Sequence, residues 1–282
     1  MDNDGISMIQ TGQGPRNSAS ARRALVTGGA SGFGLSIAQA LIAQGAQVAI
    51  GDVQTGRLAD AERELASPNA LALELDVTSP ASVRAAVSAC EKHFGGLDTL
   101  INSAGVIQFA ALAEVSEQDW DRVIDVDLKG VFLCCQAAAP LLCASGRRGR
   151  IVNIGSDASK IGCAMITSYC AAKWGVVGLT KALAGELAPF QVTVNCVCPV
   201  GVSGTGMGQD VLRWKLGVTG RTSAEILAAT AAAIPLKRNA TTADVVNAVV
   251  FFLADESSFL TGVALDVDGG SLSTVAIPGT AG

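Results

Sequence analysis

Residues 23–52 read RALVTGGASGFGLSIAQALIAQGAQVAIGD, and the changes of rhythm inside this stretch decide the fold. RALVTG (23–28) is a short apolar run of strand character. GLSIAQALIAQG (34–45) spaces its apolar residues as a helix does and stops at a glycine. QVAIGD (47–52) is a second short apolar run. Strand, turn, helix and strand within about thirty residues make a βαβ unit. The first turn, TGGASGFG (27–34), spaces Gly28, Gly32 and Gly34 as G-x-x-x-G-x-G, with Ser31 and Phe33 between them. This is not the longer G-x-G-x-x-G fingerprint, but the physics is similar. Glycine lets the backbone approach a ligand closely, and the free N–H groups opening a helix face a pyrophosphate with the helix dipole behind them. Asp52 ends the second strand eighteen residues after Gly34. An acid there accepts hydrogen bonds from ribose hydroxyls and repels a 2′-phosphate. Neither residue 53 nor 54 is basic, and Arg57 lies several residues on. NAD is therefore expected in preference to NADP.

The rhythm continues along the chain. LALELDV (71–77), LDTLINSAG (97–105), GRIVNIGS (149–156), QVTVNCVCP (191–199) and GVALDVDGG (262–270) read as further strands. Helical stretches at about 79–95, 117–144, 168–188 and 241–254 separate most of them. Near-continuous apolar strands alternating with helices predict a doubly wound α/β domain, with a parallel sheet covered on both faces. Residues 21–282 are expected to form one Rossmann-like domain, after a flexible leader at 1–20. The segment 203–235 breaks the rhythm and reads as an insertion carrying a short helix or two, a substrate lid.

Composition excludes several other classes. The net charge is 20 − 25 = −5 with no basic block, against a nucleic-acid binder. The eight cysteines have no C-x-x-C spacing, and His93 is the single histidine, so a metal site is not expected. The cysteines read as small buried hydrophobes of a reducing compartment. With no signal-like leader and no uninterrupted apolar run of about 18 residues, a cytoplasmic protein without membrane partners is expected.

The chemistry concentrates in SYCAAKWGVVG (168–178), which holds the only tyrosine of 282 residues. Lys173 follows Tyr169 by one helical turn, on the same face. A free phenol, with a pKa of about 10, is a poor base at neutral pH. A nearby ammonium favours the phenolate, and so does the positive nicotinamide ring of NAD⁺; together they are expected to bring Tyr169 toward working pH as a general acid/base. Ser156, on a separate strand-end loop, would donate to a substrate oxygen. The rival use of Ser156, in a serine hydrolase, lacks a G-x-S-x-G elbow, and His93 precedes a strand instead of following one. Asp76 either closes over an adenine edge with Val77 or caps the helix starting near Ser79. In NSAG (102–105), Ala104 and Gly105 let the backbone pass close beneath a cofactor, with Asn102 as a hydrogen-bonding spacer.

Together TGGASGFG, Asp76, NSAG, IVNIGS, YCAAK and VDGG resemble the short-chain dehydrogenase/reductase family over about residues 21–272. The resemblance implies a nicotinamide-dependent oxidoreductase with a seven-stranded doubly wound sheet, usually a tetramer or dimer. It implies Ser156, Tyr169 and Lys173 as catalytic residues and an alcohol or ketone as substrate: a polyol, a sugar alcohol or a cyclic secondary alcohol. It further implies a pocket lined by Gln108, Asp157, Cys163, Ile166, Val200, Met207 and Trp214. Two positions depart from the family pattern. Asp127 stands where the family usually has asparagine, whose implied role is to hold a relay water through its backbone carbonyl at a helix kink; a polar helix face is the other reading. Val200 replaces the glycine after Pro199, which is expected to end strand pairing. Val202 and Thr205 are then candidates for the nicotinamide carboxamide and a phosphate, against a plain loop. These departures leave an alternative in which the scaffold binds nucleotide without catalysis, as a sensor or assembly protein.

Overall fold

The computed structural model describes residues 22–146 and 149–273; the leader expected at 1–20 lies outside them. The seven strands are β1 (Arg23–Thr27), β2 (Gln47–Asp52), β3 (Ala70–Glu74), β4 (Thr99–Asn102), β5 (Arg150–Ile154), β6 (Thr193–Pro199) and β7 (Ala264–Val267). They form one sheet in the order β3-β2-β1-β4-β5-β6-β7, every neighbouring pair parallel. The chain winds outward from β1 to β3, then returns to place β4 on the other side of β1. That reversal opens a crevice at the carboxyl ends of β1 and β4, where ligands bind in such sheets.

Both faces are buried, as the continuous apolar strands require. Side chains alternate along a strand, so Ala24 and Val26 face one layer and Leu25 the other. On one face, Ile37 and Leu41 of α1 (Gly32–Ala43) and Val245, Val249 and Phe252 of α9 (Thr242–Leu253) pack against β1, β2 and β6. On the other, α3 (Pro80–Phe94), α5 (Gly130–Ala144) and α6 (Thr167–Leu187) cover Leu25, Leu100 and Ile151.

The structure adds one element and divides another. A helix α2 (Thr55–Leu65) fills the β2–β3 crossover and buries only Leu58 and Ala61. The stretch expected as one helix at 117–144 is α4 (Glu117–Ile124), one π-helical turn at Asp125–Lys129, and then α5. Among the described residues this run alone is long and apolar enough to cross a membrane; here Val131, Cys134, Cys135, Ala138 and Leu142 set it against the sheet. The segment 203–235 holds two helices, α7 (Gly206–Thr219) and α8 (Ser223–Ala233), as expected.

Pro199 does not end strand pairing. The Val200 N–H donates to the Val267 carbonyl at 3.2 Å, one step beyond it. Strand N–H groups alternate sides, and the Cys196 N–H already points to β7. The donor that Pro199 lacks therefore falls on the β5 side, where β5 has ended at Ile154.

Candidate active site

The glycine turn and the end of β4 are built against each other. Thr27 Oγ1 accepts from the Ser103 and Ala104 N–H groups at 3.1 and 3.2 Å. Gly28 has φ +63°, and a Cβ on it would lie 2.7 Å from Ala104 Cα. Only a glycine permits both that torsion and that approach. Ser31 stands at the N-cap of α1, and Phe33 packs on the core beneath. The first N–H groups of α1 thus open into the crevice with no side chain capping them from Ser31. This cradle and its dipole suit a pyrophosphate. Across it stands Thr205, its Cβ 3.5 Å from where a Cβ on Gly32 would be.

At the tip of β2, Asp52 Oδ1 accepts from the Gln54 N–H at 2.9 Å and Oδ2 from the Ala30 N–H at 3.3 Å. These bonds hold the carboxylate beside the glycine turn and leave it lone pairs for further donors. Asp76 Oδ1 accepts from the Thr78 N–H and hydroxyl, at 2.9 and 2.7 Å. The cap of α3 is Ser79, not Asp76. Val77 is buried in the core. The Asn102 amide reaches across to Asn153 Oδ1 at 2.8 Å, tying β4 to β5 inside the sheet.

Tyr169, Lys173, Ser156 and Asp127 converge in one buried cluster. The serine follows β5, the tyrosine and lysine lie one turn apart on α6, and the aspartate sits in the π turn. Lys173 Nζ is 5.4 Å from the Tyr169 ring centroid. It donates to the Ile154 carbonyl at 3.1 Å and stands 3.1 Å from Asp127 Oδ2. That last contact is an ion pair by distance, though Oδ2 is not aligned as a hydrogen-bond acceptor. Asp127 Oδ1 accepts from the Val106 N–H at 2.7 Å. With Asp127 at 0 % exposure and Lys173 at 4 %, the polar-face reading of Asp127 does not hold. A Cβ on Gly105 would lie 3.0 Å from Asp127 Oδ2 and 3.6 Å from Lys173 Nζ, so this glycine also clears room for the pair.

The charges around the phenol differ from the sequence expectation. Burial pushes the Tyr169 hydroxyl above the usual tyrosine range. Lys173 pulls it back, Asp127 pushes it up again, Ser156 lowers it and Asp157 raises it. The expected acidification by Lys173 is thus outweighed in the chain itself. Burial alone would lower the Lys173 ammonium, but Asp127, then Tyr169, reverse this and hold it above its ordinary value. Burial also pushes the Asp127 carboxyl up, against the pull of Lys173 and the Val106 N–H.

Ser156 Oγ donates to Asp157 Oδ1 at 2.7 Å and accepts from the Ala158 N–H at 3.2 Å. The Tyr169 hydroxyl meets Met207 Sδ at 3.8 Å, so the first turn of α7 covers the phenol. Val106, Ile107, Cys163, Ile166 and Met207 pack against the small cluster of Val123, Ala158, Tyr169 and Ala172. Gln108 Oε1 is buried with no hydrogen-bond partner. Thr205 caps α7 through its hydroxyl, and the Val202 carbonyl accepts from the Thr205 N–H and Oγ1. Val200 lines a separate cavity of about 270 Å³ with Ile234, Leu236, Arg238 and Asp268, which includes none of the Ser156 cluster. His93 lies in the last turn of α3, before β4, with its ring against Phe94. That is the opposite end of the sheet from Ser156, which removes the hydrolase alternative.

Sequence reasoning missed Phe109. Its ring stacks on Trp214 of α7, with centroids 4.8 Å apart and planes 11° off parallel. Aromatics are only 4 % of the chain, and that scarcity was the one available signal. The stack ties the segment after β4 to the segment 203–235. A stacked pair contributes about 0.5–1.5 kcal/mol beyond its buried area. Trp214→Ala is therefore expected to speed tryptic cleavage at Arg213 and Lys215 by roughly five- to tenfold, read by mass spectrometry of timed digests. Unchanged cleavage would mean the stack does not hold α7 in place.

Comparison with known proteins agrees with this architecture. The short chain dehydrogenase family model matches residues 22–216. A 2-(S)-hydroxypropyl-CoM dehydrogenase of Xanthobacter autotrophicus is 38 % identical over 248 residues, 87 % of this chain and 94 % of that protein. A galactitol 2-dehydrogenase of Agrobacterium fabrum is 34 % identical over 251 residues, 88 % of this chain and 96 % of that one. An actinorhodin polyketide ketoreductase variant solved with NADPH superposes with a TM-score of 0.85 at 33 % identity, covering 91 % of this chain and 99 % of that one. With the parallel sheet, the glycine turn and the buried serine–tyrosine–lysine cluster, these matches show that the chain belongs to the short chain dehydrogenase family, oxidoreductases that use nicotinamide cofactors.

Proposed function

We propose that the chain is an NAD-dependent dehydrogenase that interconverts a secondary alcohol and its ketone, with Tyr169 as general acid/base. The observation that carries this reading is the convergence of Ser156, Tyr169 and Lys173 in one buried cluster beside the glycine cradle. The cradle of Gly28, Ser31, Gly32, Phe33 and Gly34 would hold the pyrophosphate, with Thr205 facing it. Asp52 would take the adenosine ribose, Asp76 and Val77 the adenine side, and the turn of Asn102, Ala104 and Gly105 the nicotinamide side with Pro199 and Val202. When bound, the dinucleotide supplies the carbon that accepts or returns a hydride.

The residues of the chain handle the proton and the oxygen. In oxidation the Tyr169 phenolate removes the alcohol proton; in reduction the phenol returns it to the nascent alkoxide. Lys173 stays cationic between Ile154 and Asp127 and stabilises the phenolate. Ser156 turns its hydroxyl from Asp157 to the substrate oxygen and steadies charge there. Asp157 and Gln108 would serve further hydroxyls, which supports a polyol; Cys163, Met207 and Trp214 supply apolar walls. The galactitol enzyme among the relatives is consistent with a polyol, and the hydroxypropyl-CoM enzyme with a smaller secondary alcohol.

Several accompanying expectations belong to the same reading. Residues 21–282 act as one domain with 203–235 as lid. The half-exposed Phe132 of α5 and Trp174 of α6 support a homo-oligomer, expected to be a tetramer. Eight free thiols support a cytoplasmic location.

The test is nicotinamide absorbance across a panel of diols, sugar alcohols and cyclic alcohols, with NAD⁺ and NADP⁺ in parallel. Turnover with NAD⁺ on at least one secondary alcohol is the expected result. Asp52→Ser removes the repulsive carboxylate and is expected to raise the NADP⁺/NAD⁺ ratio of kcat/KM roughly 100-fold. A parent enzyme that already prefers NADP⁺ would defeat the Asp52 argument.

A further inference from the structure

The cluster contains one charge that the proton transfer itself does not need. Asp127 is a carboxylate at 0 % exposure, set in a π turn, directly against the lysine that is expected to activate the phenol. π turns inserted in α-helices occur often at functional sites. This one carries Asp127 inward, where Oδ1 is fixed by the Val106 N–H and Oδ2 faces Lys173. Gly105 makes the room, since any Cβ there would crowd Oδ2.

We propose that Asp127 is a positioning residue, the buried counter-ion of Lys173, which offsets the ammonium's charge and keeps the Tyr169 phenol protonated to higher pH. This inference rests on the reading of Tyr169 as acid/base. Charged and titratable groups from several elements face each member. Around Tyr169 they are Lys173 on its own helix, Asp127 from the π turn, and Ser156 and Asp157 after β5. Around Lys173 they are Asp127, Tyr169 and the Cys196 thiol of β6. Around Asp127 they are Lys173 and, weakest, Arg122 of α4. Lys173 is the one cation among the groups facing Tyr169, and Asp127 is the carboxylate in ion-pair contact with it. In the alkaline range where a phenol titrates, a carboxyl facing an ammonium is ionised, so its field acts throughout the transition.

The sign follows directly. An asparagine at 127 removes a negative charge, leaves the ammonium less compensated and favours the phenolate. Alcohol oxidation, which needs the phenolate, would then reach its plateau at lower pH. The expected shift is about one pH unit toward acid.

The chain offers a direct probe, because Tyr169 is its only tyrosine. Phenolate difference absorbance of the full chain without coenzyme reads that one hydroxyl, with Tyr169→Phe as the blank. Asp127→Asn is expected to titrate about one unit below the parent, and its pH–kcat/KM profile for oxidation should move the same way. Asp127→Ser, which also removes the carboxylate, is titrated alongside and serves if the asparagine variant fails to fold by circular dichroism. A phenolate transition at or above the parent's pH in the folded variant would overturn the proposal. Retained turnover in Tyr169→Phe would overturn the acid/base reading instead, so the two failures are distinguishable.

Discussion

Tyr169→Phe is expected to lower kcat about 10³-fold in either direction, while coenzyme binding stays close to the parent's. The substitution removes one oxygen and little else. The ring is 7 % exposed and packs on Val123, Ala158 and Ala172, contacts a phenylalanine keeps. The lost hydroxyl touches Met207 Sδ, a weak acceptor, and interacts with Ser156, which keeps its bonds to Asp157 and Ala158. The glycine cradle and Asp52 are untouched, because their bonds run within β1, β2 and the β4 turn. The loss should therefore fall on kcat, with coenzyme affinity by fluorescence titration and melting temperature nearly unchanged. A variant turning over within about tenfold of the parent would remove Tyr169 from the chemistry and leave the buried lysine–aspartate pair without a function in proton transfer.

What the sequence made legible follows from which forces are local. The strands β1, β2, β4, β5 and β6 stand out because each is buried on both faces and so reads as a continuous apolar run. The first turn stands out because glycine is needed there by close approach, as the Ala104 contact of Gly28 shows. Helix α2 escaped because it lies at the rim, is mostly polar and buries only Leu58 and Ala61. A kink at Asp127 was implied by the resemblance alone; the π turn there brings Asp127 to Val106 and Lys173 across the fold, and spacing along one helix cannot report that. The burial that raises the Tyr169 hydroxyl in the chain itself escaped for the same reason. Lys173 is visible one turn away in sequence, but the burial of the phenol and the opposing carboxylate come from other elements. Pair geometry across distant segments, including the Phe109–Trp214 stack, lies beyond periodicity and motif spacing.

The second large effect is expected at Gly34, where the coenzyme cradle and the fold depend on the same few atoms. A Cβ on Gly34 would fall 2.2 Å from the Gly28 carbonyl oxygen, 2.8 Å from its carbon and 3.0 Å from Gly29 Cα. All three are backbone atoms, so no side chain can swing aside. Gly28 has little room to retreat, since Ala104 packs so close that a Cβ added to Gly28 would lie 2.7 Å from Ala104 Cα. Gly34→Ala must therefore push α1 away from the turn or pull the turn from β4, and either movement spreads the N–H groups that face the pyrophosphate. Overpacking of this kind costs about 1–3 kcal/mol, which for a chain of this size corresponds to a melting temperature lower by roughly 2–6 °C. Coenzyme affinity should fall more steeply, about 100-fold, because a misplaced cradle loses several charge-assisted donors together. Gly56→Ala is the contrast: that glycine lies within α2 with nothing within 4 Å of a new Cβ, so alanine is expected to stabilise by about 0.5–1 kcal/mol. Thermal unfolding with and without NAD⁺, beside a binding titration, separates the two substitutions. If Gly34→Ala melted with the parent and bound coenzyme as tightly, the approach between α1 and the first turn would not be what builds the site, and the opening glycine motif would carry no more meaning than a tight turn.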